Sequence, residues 1–204
     1  MKKIFVPLIA SLLAVSCSKT ETKIQDHSTE QNQKNETKNE MVALMDEMMD
    51  EMHSEKSTGN NDVDFAKMMI EHHKGAVEMS ELLLEKGQNE ELKTFARKVI
   101  AAQDQEIGLM KKFENQTEVS PDSNIFQQEL NQSMGAMMNK NIKIHNDIDK
   151  DYAEQMIPHH QSAVDMAKVY LKYGKQKDLL KLCDDIVNTQ TSEIQQLKTW
   201  LTAN

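Results

Sequence analysis

Asp64-Phe65-Ala66-Lys67-Met68-Met69-Ile70-Glu71-His72-His73 recurs 87 residues later as Asp151-Tyr152-Ala153-Glu154-Gln155-Met156-Ile157-Pro158-His159-His160. The register holds without a gap from Asp64 over Asp151 to Phe113 over Trp200. Along it Ala76 meets Ala163, Val77 Val164, Met79 Met166, Leu84 Leu171, Gly87 Gly174, Leu92 Leu179, Gln103 Gln190, Glu106 Glu193 and Ile107 Ile194. About a third of the positions are identical, far beyond chance over such a length, so the chain carries an internal duplication.

Within each copy the apolar positions keep helical spacing. Phe65, Met69, His72/His73, Ala76, Met79 and Leu83 form one stripe, ended by Gly87 as a helix C-cap would end it. A second helix is expected from about Glu90 to Phe113, through Leu92, Phe95, Val99, Ile100, Gln103, Ile107 and Met110. The other copy repeats the pattern over Tyr152–Tyr173 and Lys177–Leu201, with Pro158 marking a start or kink. Two such hairpins bury their stripes most simply as an antiparallel four-helix bundle, so the expected fold class is all-α. Met-rich segments precede both copies, Met45-x-x-Met48-Met49 and Met134-x-x-Met137-Met138, and are expected as extra short helices. Repeat units of about 41–116 and 122–204 make up a domain over 41–204, with Pro121 at the link.

Composition sets the frame around this domain. The 204 residues carry a net charge of −9, 28% charged and 4% aromatic side chains, six Gly and three Pro, which suits neither a turn-rich β fold nor a membrane-embedded chain. An acidic chain lacks the clustered Lys and Arg that phosphate backbones require, so nucleic acid is not an expected partner. Lys2 and Lys3 followed by the apolar run Ile4–Val15 and small residues read as an export signal over 1–16, too short to span a bilayer. Ala14-Val15-Ser16-Cys17 resembles the lipobox of bacterial lipoproteins, with Ala14 in place of the usual Leu. That resemblance implies acylation of Cys17 and a lipid anchor as the one membrane contact. Residues 17–40 are Thr, Glu, Lys, Gln and Asn with little apolar content, the composition of a disordered tether. The expected location is the cell envelope, facing the periplasm or anchored at the outer membrane.

Chemistry concentrates on the duplicated helix. At about 100° per residue, Met69, His72, His73, Ala76 and Met79 fall within one arc of roughly 120°, and Met156, His159, His160, Ala163 and Met166 repeat it. Imidazole suits copper, zinc, nickel and iron, whereas thioether sulfur selects Cu(I). Ferritin-like di-iron bundles place Glu-x-x-His on two helices. Met69-x-x-His72 and Met156-x-x-His159 put a soft sulfur where those bundles put a hard oxygen, which points to cuprous copper and to holding metal rather than to redox catalysis. His72, His73, His159 and His160, with Met69 and Met156 at that spacing, are therefore read as binding metal, Cu(I) in preference to Cu(II). His72 and His73 diverge by about 100°, so one can ligate while the other orients. The rival reading treats Met at helical spacing as core filler and the Met surfaces as an interface for a protein partner in the envelope.

Met41, Met45, Met48 and Met52 form a further stripe, either packed on the bundle or offering an exposed thioether site. Gln103/Glu106 and Gln190/Glu193 either bond an inward imidazole or lie on a solvated flank. Cys183 reads as a buried small hydrophobe. No Ser/His/Asp set, phosphate loop or di-iron carboxylate cluster is visible, so no catalytic residue is assigned and an enzyme is not expected.

Met-Ile-x-His-His-x-x-Ala-Val-x-Met followed by Gln-x-x-Glu-Ile resembles the signature of an exported bacterial family of ferritin-like helical domains, which includes Met- and His-rich copper-binding proteins. The resemblance covers both copies from about Met41 onward. It implies Met69, His72, His73, Met79, Met156, His159, His160 and Met166 as the metal residues, copper as the bound ion, and a role in copper buffering, chaperoning or tolerance, with a copper-handling protein as the partner class. Glu71 and Lys74 depart from the Pro-His-His-Gln pattern kept by the second copy.

Overall fold

A computed structural model describes residues 39–139 and 141–204. The export signal and residues 17–38 of the expected tether, with Cys17 and His27, lie outside the described residues; Asn39 and Glu40, expected in the tether, instead cap and begin the first helix, Asn39 accepting from the Val42 N–H. Six α-helices and no strand occur among the described residues: α1 (Glu40–Ser54), α2 (Asn61–Lys86), α3 (Glu90–Met110), α4 (Ser123–Ser133), α5 (Ile148–Tyr173) and α6 (Lys177–Ala203). The fold is an all-α helical bundle. None of these helices is long and apolar enough to cross a membrane.

The duplication organises the packing. Helices α2 and α5 lie against each other at the centre, α3 folds back on α2, and α6 folds back on α5. On the other side α1 packs on α2 and α5, and α4 packs on α5 and α2. Each repeat is therefore three helices, one short and two long. The short helices are held by apolar side chains: Met41, Met45, Met48 and Met52 of α1 and Phe126 and Leu130 of α4 are all buried. Each such side chain contributes roughly 1.5–3 kcal/mol of burial. The Met stripe of α1 is thus core. The second Met segment is not an α-helix; Met134–Ala136 form a 3-10 turn after α4, with Met134 and Met137 buried and Met138 60% exposed.

Repeat symmetry reaches further upstream than side-chain identity does. Gly59 (φ 80°) and Asn146 (φ 55°), one period apart, both adopt the left-handed conformation that Gly and Asn tolerate best. Asn60 then caps α2 by accepting from the Asp62 and Val63 N–H groups, and Asp147 caps α5 by accepting from Asp149 and Lys150. Asp64 accepts from the Thr58 N–H at 2.7 Å, and Asp151 accepts from the His145 N–H at 2.6 Å. The next pair works across the two repeats. Asp149 accepts from the Gln88 and Asn89 N–H groups of the α2–α3 turn, while Asp62 accepts from the Lys175 N–H of the α5–α6 turn and from the Tyr170 hydroxyl at 2.5 Å. Each repeat thus supplies an acceptor to the turn of its twin.

Three sequence expectations need correction. Helix α5 does not start at Pro158; it begins ten residues earlier and runs through it. Gly87 does close α2, its N–H donating to the Leu83 carbonyl at 2.8 Å, but in an extended rather than a left-handed conformation (φ −68°, ψ 161°). A side chain is excluded there by space: a Cβ would lie 2.6 Å from both Asp149 Oδ1 and Leu83 Cδ1. At Gly174 the Tyr170 ring fills the same volume. Finally, α3 ends at Met110, and Lys111–Phe113 continue it as a 3-10 turn.

Candidate metal centre

Midway along the central pair, α2 and α5 carry a row of four imidazoles, each completely removed from solvent. His72 and His159 meet in the middle with ring centroids 3.7 Å apart and planes inclined by 39°. His73 lies 6.0 Å from His72, and His160 lies 5.9 Å from His159. At the ends of the row stand two carboxylates from the outer helices. His73 Nε2 is 2.6 Å from Glu106 Oε2, and His160 Nε2 is 3.1 Å from Glu193 Oε2, the latter without hydrogen-bond alignment. Glu106 and Glu193 retain 21% and 16% side-chain exposure, so each end of the row abuts a group that reaches water.

The two halves differ at the centre. His159 Nε2–H donates to the backbone carbonyl of His72 at 2.9 Å, and no twin bond runs from His72. Burial first, and the facing imidazole second for His72, hold both inner rings well below the ordinary imidazole pKa. For His159 the next contribution is His160. Both are neutral at physiological pH. With its Nε2 proton committed to a carbonyl, neutral His159 carries its free lone pair on Nδ1.

Six of the eight ring nitrogens make no hydrogen bond: both of His72, both of His160, and Nδ1 of His73 and of His159, with His160 Nε2 at ion-pair distance from Glu193. A buried polar atom left unpaired costs about 1–3 kcal/mol, so such a density of them marks a site built for something other than packing. The sulfurs lie in the same helical register. Met69 and Met156 precede the inner imidazoles by three residues, Met79 and Met166 follow by seven, and all four side chains are fully buried. Ala76 and Ala163 are buried between them and keep the intervening turn slim. Among the described residues no three His, Cys, Asp or Glu side chains converge as a metal-holding group.

The sequence placed all eight candidate residues on the inner helices, and all eight are buried. It left open the task of Glu106 and Glu193, which the structure places against His73 and His160. Gln103 and Gln190 are buried beside them with unpartnered carbonyl oxygens. It missed Phe95, whose ring centroid is 6.3 Å from that of His160 and 6.4 Å from that of Tyr152. No repeat signal exists there, because the twin position is Leu182. The remaining histidines stand apart: His53 is exposed at the end of α1, and His145 lies 3.1 Å from Glu154 before α5.

Residues 62–201 match the family described as Domain of unknown function (DUF305). The chain belongs to that family. The matched range begins in α2 and ends in α6, so it contains the whole imidazole row and leaves out α1. No curated protein sequence matches this DUF305 chain. Among solved structures, CopM in a Ag-bound form is 33% identical, with 70% of this chain and 96% of CopM covered and a TM-score of 0.54. CopM in the Cu(I)-bound form is 31% identical with a TM-score of 0.53, and in the Cu(II)-bound form 30% identical with a TM-score of 0.54, over the same shares of both chains. This DUF305 domain is thus similar over most of its length to a helical protein that has been solved with copper in two oxidation states and with silver.

Proposed function

We propose that the protein binds copper outside the cytoplasmic membrane, chiefly as Cu(I), and lowers free copper as a buffer or chaperone. One observation carries the reading: six ring nitrogens without a hydrogen bond on four fully buried imidazoles, in register with four buried thioethers. The likeness to CopM, solved with Cu(I), Cu(II) and Ag, supports copper as the cargo. The preference for Cu(I) rests on donor chemistry. Thioethers are soft and need no deprotonation, and the inner imidazoles are already neutral. His72, His159, Met69 and Met156 are the central ligand candidates. Met79 and Met166 supply sulfur on the far side, and His73 and His160, held against Glu106 and Glu193, serve as outer ligands or as groups that orient the inner rings. In this reading the bundle is ferritin-like, with sulfur where a di-iron bundle carries carboxylate, and the protein holds metal without turning over a substrate. Acylated Cys17 would fix it to the envelope membrane.

Anaerobic Cu(I) titration against a competing chromogenic chelator, beside the same titration with Zn(II), tests the assignment. Much tighter binding of Cu(I) is expected. Equal affinity for the two ions would reduce the site to a generic imidazole site, and no binding would leave the row as core packing with a protein partner still to be found.

A further inference from the structure

The imidazole row is covered on one side by α1 and α4 and on the other by α3 and α6. On the first side Met41, Met45, Met48, Met52, Phe126 and Leu130 are buried beneath the covering helices, and a pocket of about 270 Å³ between α1 and α2 is lined by Glu47, Met48, Glu71, Lys74 and Glu78 but by no aromatic ring. On the other side α3 packs on α2 and α6 packs on α5, while the backbones of α3 and α6 stay further apart from each other. A cavity of about 310 Å³ lies between them, floored by Leu92, Phe95, Leu197 and Trp200 with Glu91 and Lys98 among its polar lining. Phe95 is common to both compartments. It lines the cavity, and its ring stands 6.3 Å from His160. Both carboxylates that connect the row to water, Glu106 and Glu193, also belong to α3 and α6.

Resting on the copper reading above, we infer that the ion reaches the histidine row between α3 and α6, and that Phe95 is the side chain that must swing aside to admit it. Every imidazole is fully buried, so loading requires a local movement, and the cheapest is rotation of one partly buried ring beside an existing cavity rather than displacement of a packed helix. The aromatic faces of Phe95 and Trp200 suit this passage, because ring quadrupoles attract a cation that has shed water. Phe95 is thus a gate on the rate of loading and not a ligand.

Trp200 is the chain's single tryptophan, so its fluorescence reports events in the cavity. The full-length chain is mixed in a stopped-flow instrument with Cu(I) in anaerobic acetonitrile-containing buffer, and equilibrium affinity is measured separately by chelator competition. Phe95→Ala is expected to load about tenfold faster or more than wild type, and Phe95→Leu to fall between them. Leu130→Ala, which opens the opposite side, should load at the wild-type rate, and all affinities should agree within about threefold. If Phe95→Ala loses its helical circular dichroism, Phe95→Leu carries the comparison. Wild-type rates in both Phe95 variants, or equal acceleration by Leu130→Ala, would overturn the route while leaving copper binding intact. Absence of Cu(I) uptake by wild type would instead overturn the copper reading itself.

Discussion

Acid should destabilise the metal-free protein through its inner histidines, up to a ceiling that proton linkage sets. His72 and His159 are fully buried, face each other at 3.7 Å, and have pKa values held well below the ordinary imidazole value. In the unfolded chain each returns to about 6.5, so between the two values the unfolded state binds more protons than the native one. Stability from this source is therefore fully present above pH 6.5 and is lost as the pH falls below it. The slope is at most about 1.4 kcal/mol per pH unit for each group, so between pH 7 and pH 5 each removes up to about 2 kcal/mol, and the pair up to about 4. Urea unfolding followed by helical circular dichroism, with chelator present, measures this. Other titrating groups are common to a His72→Leu/His159→Leu variant, whose unfolding free energy should change with pH less than that of wild type over this range, by up to about 4 kcal/mol. Either single variant should show about half of that. A wild-type and a double variant that lose stability in parallel from pH 7 to pH 5 would refute the claim that these two rings are buried and neutral.

Gly75→Ala should destabilise by about 1–3 kcal/mol in the same assay, since its Cβ would lie 2.8 Å from Met48 Cβ, an atom too close to the α1 backbone to move aside. Asp62→Ala should cost about 1–3 kcal/mol by stranding the buried Tyr170 hydroxyl, and Asp149→Ala less, because the N–H groups it releases at Gln88 and Asn89 are partly open to water. Cys183 is fully buried and burial pushes its thiol pKa up, so in a Cys17→Ser chain Ellman's reagent should titrate no thiol until denaturant is added.

The parts of this protein that could be read from sequence are those governed by helical period and by duplication. Phe65, Met69, Ala76 and Leu83 gave the buried face of α2 because side chains three and four residues apart share a helix face, and the 87-residue repeat transferred that face to α5. The same logic placed His72, His73, His159 and His160 indoors. It could not say that the inner pair stacks across the α2–α5 contact while the outer pair is held by Glu106 and Glu193, because those distances depend on how two hairpins dock. Pro158 misled for a related reason: tertiary packing holds α5 together through a residue that disfavours helix locally. The reciprocal acceptors Asp62 and Asp149 carried a legible signal, two aspartates one period apart just inside helix starts, but their partners lie on the opposite repeat. Phe95 carried none, since a single aromatic on an amphipathic helix reads as ordinary core.

The most direct test of the central claim is anaerobic Cu(I) titration of the full chain against a chromogenic chelator, beside a variant with Met69, His72, Met156 and His159 all changed to Ala. The account predicts tight binding by wild type and loss of at least about a hundredfold in affinity, roughly 2.7 kcal/mol, in the variant. Undiminished binding in a variant that keeps its helical content would place the copper elsewhere and contradict the assignment of the buried row.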